Sequence, residues 1–166
     1  NPNSTLLYDA LAVEYHGEGR VRFSSELPRI IEWMELSSHR RIRAKQNIDV
    51  RSMRQGDRFF YWLEAPSISA DLVGNPYQFD PKRFAQFDAR ILDSTSNGVS
   101  ISKIPSPDNK AIVWLTPEMV DFSRPMKFIS SGRTSVQTLE PSIEVMLEDV
   151  RQRGDRQHFF WQKVIL

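Results

Sequence analysis

The chain contains no cysteine. A disulfide framework and thiolate chemistry are therefore excluded, and the compartment stays open, because a cysteine-free chain suits oxidising and reducing surroundings alike. Charge of one sign is also missing. The 22 basic and 21 acidic residues leave a formal net charge of +1. That gives no concentrated field for nucleic acid or an anionic membrane, and neither is an expected partner. No apolar run approaches the ~20 residues of a membrane-spanning helix. No signal peptide is visible. The chain opens Asn1-Pro2-Asn3-Ser4-Thr5 without an initiator Met, which reads as a processed or excised fragment and leaves localisation unknown.

Histidine is scarce. His16, His39 and His158 are the full set, and no two have metal-ligand spacing. There is no Gly-x-Ser-x-Gly elbow, no Gly-rich phosphate loop and no paired carboxylate motif. No metal and no cofactor is expected.

What the chain does have is a globular balance of 40% hydrophobic and 26% charged residues, with ten Phe, four Trp and four Tyr to fill a core. Leu11–Tyr15 reads as a short buried strand. His16–Phe23, with two glycines, reads as a loop. Ser24 or Ser25 is placed to cap a helix that holds Pro28 in its first turn. Leu27, Ile30, Ile31 and Met34 give that helix one apolar face, and it should end near Ser37. The basic run from His39 to Lys45 follows. It reads as a solvated complement to the helix C-terminus, with a docking patch for an acidic partner as the other possibility.

From Ile48 the hydrophobic period changes from 3.6 to 2. Strands are expected at Ile48–Met53, Arg58–Glu64, Ala85–Ile91, Val99–Ile104, Ala111–Leu115, Met126–Ile129, Arg133–Leu139 and Phe159–Leu166. Arg58–Glu64 and Ala111–Leu115 are apolar on both faces, as central strands are. Asn97-Gly98 is the strongest hairpin signal, and 85–115 reads as a three-stranded meander. One late helix is expected at 142–152, with Ile143, Met146, Leu147 and Val150 on its apolar face and Gly154 at its C-terminal cap. Short strands separated by turns favour an antiparallel β-sandwich of about seven to eight strands, preceded by the strand-loop-helix of the opening segment.

Three features invite functional readings. Arg153-Gly154-Asp155 spells an integrin-recognition tripeptide, but it also fits the end of a helix. Trp62, Trp114 and Trp161 lie in strands, where rings either stack on sugars or pack the core. His158 sits beside Phe159, Phe160 and Trp161, which suits a structural role.

The opening residues resemble the last βα unit of an α/β-hydrolase of the dienelactone-hydrolase or prolyl-oligopeptidase-like branch. Val13-Glu14-Tyr15 match the strand end, Gly17 and Gly19 the loop, and Phe23 to Met34 the closing helix. The resemblance covers about residues 4–36. The remainder is similar to the β-rich C-terminal extension of some bacterial hydrolase-like proteins of this branch, through Leu147-Glu148-Asp149-Val150 and Arg153-Gly154-Asp155-Arg156-Gln157-His158. In that family the loop carries the catalytic His. Aligning Tyr15, Gly17, Gly19 and Phe23 puts Arg20 at that position, and an Arg stays protonated and cannot act as a base. His16, four residues earlier, is the candidate base if the loop is shifted.

The resemblance implies a division at 1–45, a truncated hydrolase-like remnant plus basic linker, and 46–166, a β-sandwich. It implies a non-catalytic C-terminal fragment of a serine-hydrolase- or peptidase-like protein, whose β-sandwich is an accessory or interaction domain. Partners would be the remainder of the parent α/β domain, or a second copy through residues 10–36. The alternative is a self-standing carbohydrate- or protein-binding β-sandwich module.

Overall fold

The computed structural model describes residues 24–38, 44–74, 83–156 and 158–166. The chain divides into two compact units, Asn1–Ile42 and Arg43–Leu166. In the first, a 3-10 turn at Ser24–Glu26 leads into helix α1, Leu27–Ser38. Ser24 and Ser25 thus form an entry turn, and Pro28 falls in the first helical turn, where its missing N–H costs nothing. Leu27, Ile30 and Ile31 are 53%, 46% and 54% exposed. Only the backbone of Met34 is described. The strand expected at Leu11–Tyr15 lies outside the described residues, as do His39–Arg43 of the basic run.

The second unit is mainly β. Nine strands among the described residues form two sheets, with one helix besides a single 3-10 turn. Strands β1 (Asn47–Ser52), β4 (Ala85–Ile91), β5 (Gly98–Lys103), β7 (Met126–Ser130) and β8 (Arg133–Gln137) make the larger sheet, in the order β1-β4-β5-β7-β8. Strands β2 (Phe59–Phe60), β3 (Leu63–Glu64), β6 (Ile112–Leu115) and β9 (Gln162–Ile165) make the smaller, in the order β2-β3-β6-β9. Helix α2 is Ile143–Arg153.

Alternation in sequence produces the two-sheet core. In β4, Ala85, Phe87, Ala89 and Ile91 are buried, and the polar residues between them are not. Phe87, Val99, Ile101, Met126 and Phe128 of the larger sheet join Leu63, Val113, Leu115 and Val164 of the smaller in one buried cluster. Phe60 meets Phe87 edge-on, with ring centroids 4.8 Å apart. Burying side chains of this size contributes about 1.5–3 kcal/mol each. Strand β6 is apolar on both faces because Val113 and Leu115 point into the sandwich, while Trp114 points to the opposite face, where α2 packs.

Four expectations need correction. Arg58–Glu64 is a hairpin, β2–β3, whose turn begins at Tyr61 with φ 58°. No Gly or Asn marks it, so the segment looks continuous in sequence. The 85–115 meander does not form. After β5 the chain crosses over, and β6 pairs with β3 and β9 in the smaller sheet. The same excursion through 104–125 returns β7 parallel to β5, an orientation that requires a long crossover. The third correction concerns α2. Its C-cap is as expected, Gly154 at φ 71°, and Ser142 caps the other end, its Oγ accepting from the Val145 N–H at 3.4 Å. Its inward face is not as expected. Val145 and Asp149 are buried, whereas Ile143 and Leu147 are 71% and 65% exposed.

The fourth is Asn97-Gly98, which does not form a two-residue turn. The loop runs from Leu92 to Asn97, folded around Asp93, whose Oδ1 accepts from Thr95 Oγ1 at 2.6 Å and the Ser96 N–H at 2.8 Å. Those bonds hold the Asp93 carboxyl at a pKa of about 2. The Asn97 side chain instead ties this loop to the one before β7. Its Nδ2 donates to the carbonyls of Asp121, Arg124 and Pro125, and its Oδ1 accepts from the Asp121 N–H at 2.7 Å. Gly98 is there because β7 passes so close: a Cβ at this position would lie 1.8 Å from the Lys127 carbonyl oxygen. Gly98→Ala is expected to lower the unfolding free energy by about 3 kcal/mol, the cost of forcing atoms into a packed core. Gly56→Ala, where a Cβ meets nothing within 4 Å, should change it by less than about 0.5 kcal/mol. Urea denaturation compares the two, and equal effects would contradict the close approach.

Candidate functional site

His16, Arg20 and His39 lie outside the described residues. His158 is exposed. Its backbone N–H donates to Asp155 Oδ1 at 3.1 Å, and its Nδ1 stands 4.0 Å from the same oxygen. This is a local turn after α2. Trp62 and Trp114 are fully buried and present no ring face for a sugar. Trp62 Nε1 donates to the Lys45 carbonyl at 2.8 Å, and Lys45 Nζ, from the end of the basic run, donates to the Tyr61 hydroxyl at 2.9 Å. Trp161 is partly buried and lies 6.0 Å from the Phe122 ring.

Arg153, the first residue of the tripeptide, points inward. Asp149, four residues back on the same helical face, has no exposed surface. Arg153 Nη1 donates to Asp149 Oδ1, and Asp149 Oδ2 accepts the Phe160 N–H at 2.9 Å. Arg153 Nη2 lies 3.6 Å from Glu64 Oε2, which also accepts Trp114 Nε1 at 2.7 Å. The guanidinium carbon sits 3.8 Å from the Phe59 ring centroid and 4.1 Å from that of Trp114. Three rings of the cluster also touch one another, Phe160 packing against Phe59 and Trp114. Beside them Lys163 Nζ donates to both carboxylate oxygens of Glu148, at 2.7 and 2.6 Å. The arrangement joins the last turn of α2 to β3, β6 and the segment before β9. A planar guanidinium offers its flat face to rings while the donors on its edge reach two carboxylates, a geometry the compact Lys ammonium lacks.

A concavity among the described residues lies elsewhere in the sandwich. The larger sheet has five strands against four. Ser135 and Gln137 of β8 are in register with the buried Phe128 and Met126 and so share their inward face. Arg133 is likewise in register with Ser130. These polar side chains line a cleft of about 660 Å³ closed on its other sides by Asp108, Lys110 and the terminal Ile165 and Leu166. Lys110 Nζ is 3.0 Å from Asp108 Oδ2. The Ser106 hydroxyl and Lys110 hold the Asp108 carboxyl at a pKa of about 2, so it remains charged at neutral pH. No ion pair to Arg133 is found among the described residues, leaving its charge available. Asn109 and Ser131, both at positive φ, border this cleft and a neighbouring one of about 370 Å³. The lining can donate and accept hydrogen bonds. It holds no His, so it offers no imidazole for general base work. The helix pattern gave no sign of the Arg153 cluster; its only trace in sequence is the i, i+4 spacing of Asp149 and Arg153. The polar alternation of Arg133, Ser135 and Gln137 was the trace of the cleft.

Comparison with known proteins matched no family model, no curated protein and no solved structure.

Arg153→Ala is expected to destabilise the sandwich by about 3–5 kcal/mol, because it strands a buried carboxylate. Adding Asp149→Asn to that variant should cost less than the sum of the two single changes. Strict additivity in chemical denaturation would show that the two groups do not act together.

Proposed function

We propose that this chain is a non-catalytic C-terminal part of a serine-hydrolase-like protein, in which the β-sandwich is an accessory domain that contacts other protein. The reading rests on the hydrolase-like pattern of Val13–Met34 and on one observation, the exposed apolar stripe of α1. Leu27, Ile30 and Ile31 each stand about half exposed on one helical face. A helix with this stripe gains most of its stability by covering it against a sheet. On this reading the sheet of the α/β domain supplies that surface and carries the nucleophile and the acid of a triad, and Arg20 aligns with the position of the base.

A second reading, a self-standing module that binds carbohydrate or protein, is favoured by the polar cleft beside β8. With Trp62 and Trp114 in the core, recognition in such a module falls to hydrogen bonds from the cleft and not to ring stacking.

An esterase assay with p-nitrophenyl acetate tests the non-catalytic assignment. The 166-residue chain is expected to give no saturable turnover, and His16→Ala should leave the background unchanged. Saturable turnover that disappears in His16→Ala would restore His16 as a working base and overturn the reading.

A further inference from the structure

We propose that β8 is a self-complementary edge through which two copies of this chain join their larger sheets into one. The inference stands apart from the ancestry of residues 1–45. It rests on the edge itself.

Among the described residues β8 ends the larger sheet, with β7 as its one neighbour. The β7–β8 turn, Ser131-Gly132, has φ 50° and 76°, and Ser130 pairs with Arg133 across it. Two positive φ values are the mark of a two-residue hairpin, in which the flanking residues form a hydrogen-bonded pair. Bonding then alternates along the strand. Arg133, Ser135 and Gln137 direct their backbone groups to β7. Thr134 and Val136 direct theirs outward.

Each of the other edges among the described residues carries an obstacle to pairing. Strand β1 carries Asp49 and Arg51, and β2 is two residues long. In β9 the Lys163 N–H is already bonded to Gln162 Oε1 at 2.9 Å. Charges, short length and self-capping are the usual means of blocking an edge. Strand β8 has none of them along its outward positions. Its one charge, Arg133, is at the turn, there is no proline, its register with β7 is unbroken, and Val136 is 63% exposed.

The sequence Arg133-Thr134-Ser135-Val136-Gln137 fits an antiparallel copy of itself. With a two-fold axis at Ser135, Thr134 faces Val136 of the second copy and Val136 faces its Thr134. Each of these two pairs exchanges two N–H···O bonds, using all four outward groups. Two β-branched side chains meet in each pair, a favourable cross-strand match. Arg133 faces the uncharged Gln137, so no like charges oppose one another. On the inward face, Arg133, Ser135 and Gln137 of one copy continue into those of the other. The two polar clefts then become a single trough crossing the axis, and each copy contributes residues to it.

Sedimentation velocity on the full chain, from low micromolar to about 100 μM, tests the proposal. A monomer–dimer equilibrium is expected. Val136→Pro removes an outward N–H that the chain's own sheet does not use, and proline is tolerated at such an edge position. It is expected to leave the circular dichroism unchanged and weaken the dimer at least tenfold. Ser135→Lys and Ser135→Glu each place like charges at the axis. Each alone should be monomeric, and mixing the two should restore dimers at low salt. A wild-type chain that stays monomeric throughout overturns the proposal. So does a dimer unaffected by Val136→Pro, which would locate the contact elsewhere, residues 10–36 included. Failure of the mixed pair to associate likewise rules out a β8–β8 axis.

Discussion

The guanidinium of Arg153 is the group on which the arrangement of α2 and the smaller sheet depends. Asp149 is fully buried, and an isolated carboxylate there would cost several kcal/mol in lost hydration. Arg153 and the Phe160 N–H supply its partners, and Glu64 and two aromatic faces complete the surroundings of the cation. These partners come from β2, β3, β6 and the approach to β9, which are dispersed in sequence. Removing the cation therefore loosens several elements together. The same requirement fixes the rotation of α2: positions 145, 149 and 153 face inward, so Ile143 and Leu147 face outward.

Much of the fold was legible because alternation is a strong signal. The limits of β4 follow directly from Ala85, Phe87, Ala89 and Ile91, and the two-faced apolar character of β6 marked it as a central strand. The C-terminal cap of α2 at Gly154 was legible too, since it rests on local chemistry. What failed depended on distant partners. The inward face of α2 was misassigned because two of its three inward positions are charged, and a hydrophobic pattern assigns charged positions to solvent. Tyr61 takes a left-handed conformation with no residue type to announce it. Asn97-Gly98 carried the right residues for a turn, but Asn97 serves to bridge two loops and Gly98 to admit the Lys127 backbone. The crossover that sends β6 to the other sheet has no local signature.

Arg153 and the tryptophans at 62 and 114, for which the sequence allowed both recognition and structural roles, take the structural ones. The exposed surfaces of the described chain include the apolar stripe of α1 and the β8 edge with its polar cleft. The accessory-domain reading draws on the first, and self-association of the sandwich draws on the second. Neither requires a catalytic group from the described residues.

Amide hydrogen exchange at Phe160 measures the Arg153 cluster most directly, because this N–H bonds the buried Asp149 carboxylate. If the cluster anchors α2 to the smaller sheet, the Phe160 amide should exchange only through global unfolding, as slowly as the amides of β6. Exchange there at a rate much faster than in β6, with the sandwich otherwise intact, would mean that the cluster opens locally, and would contradict its role as the anchor.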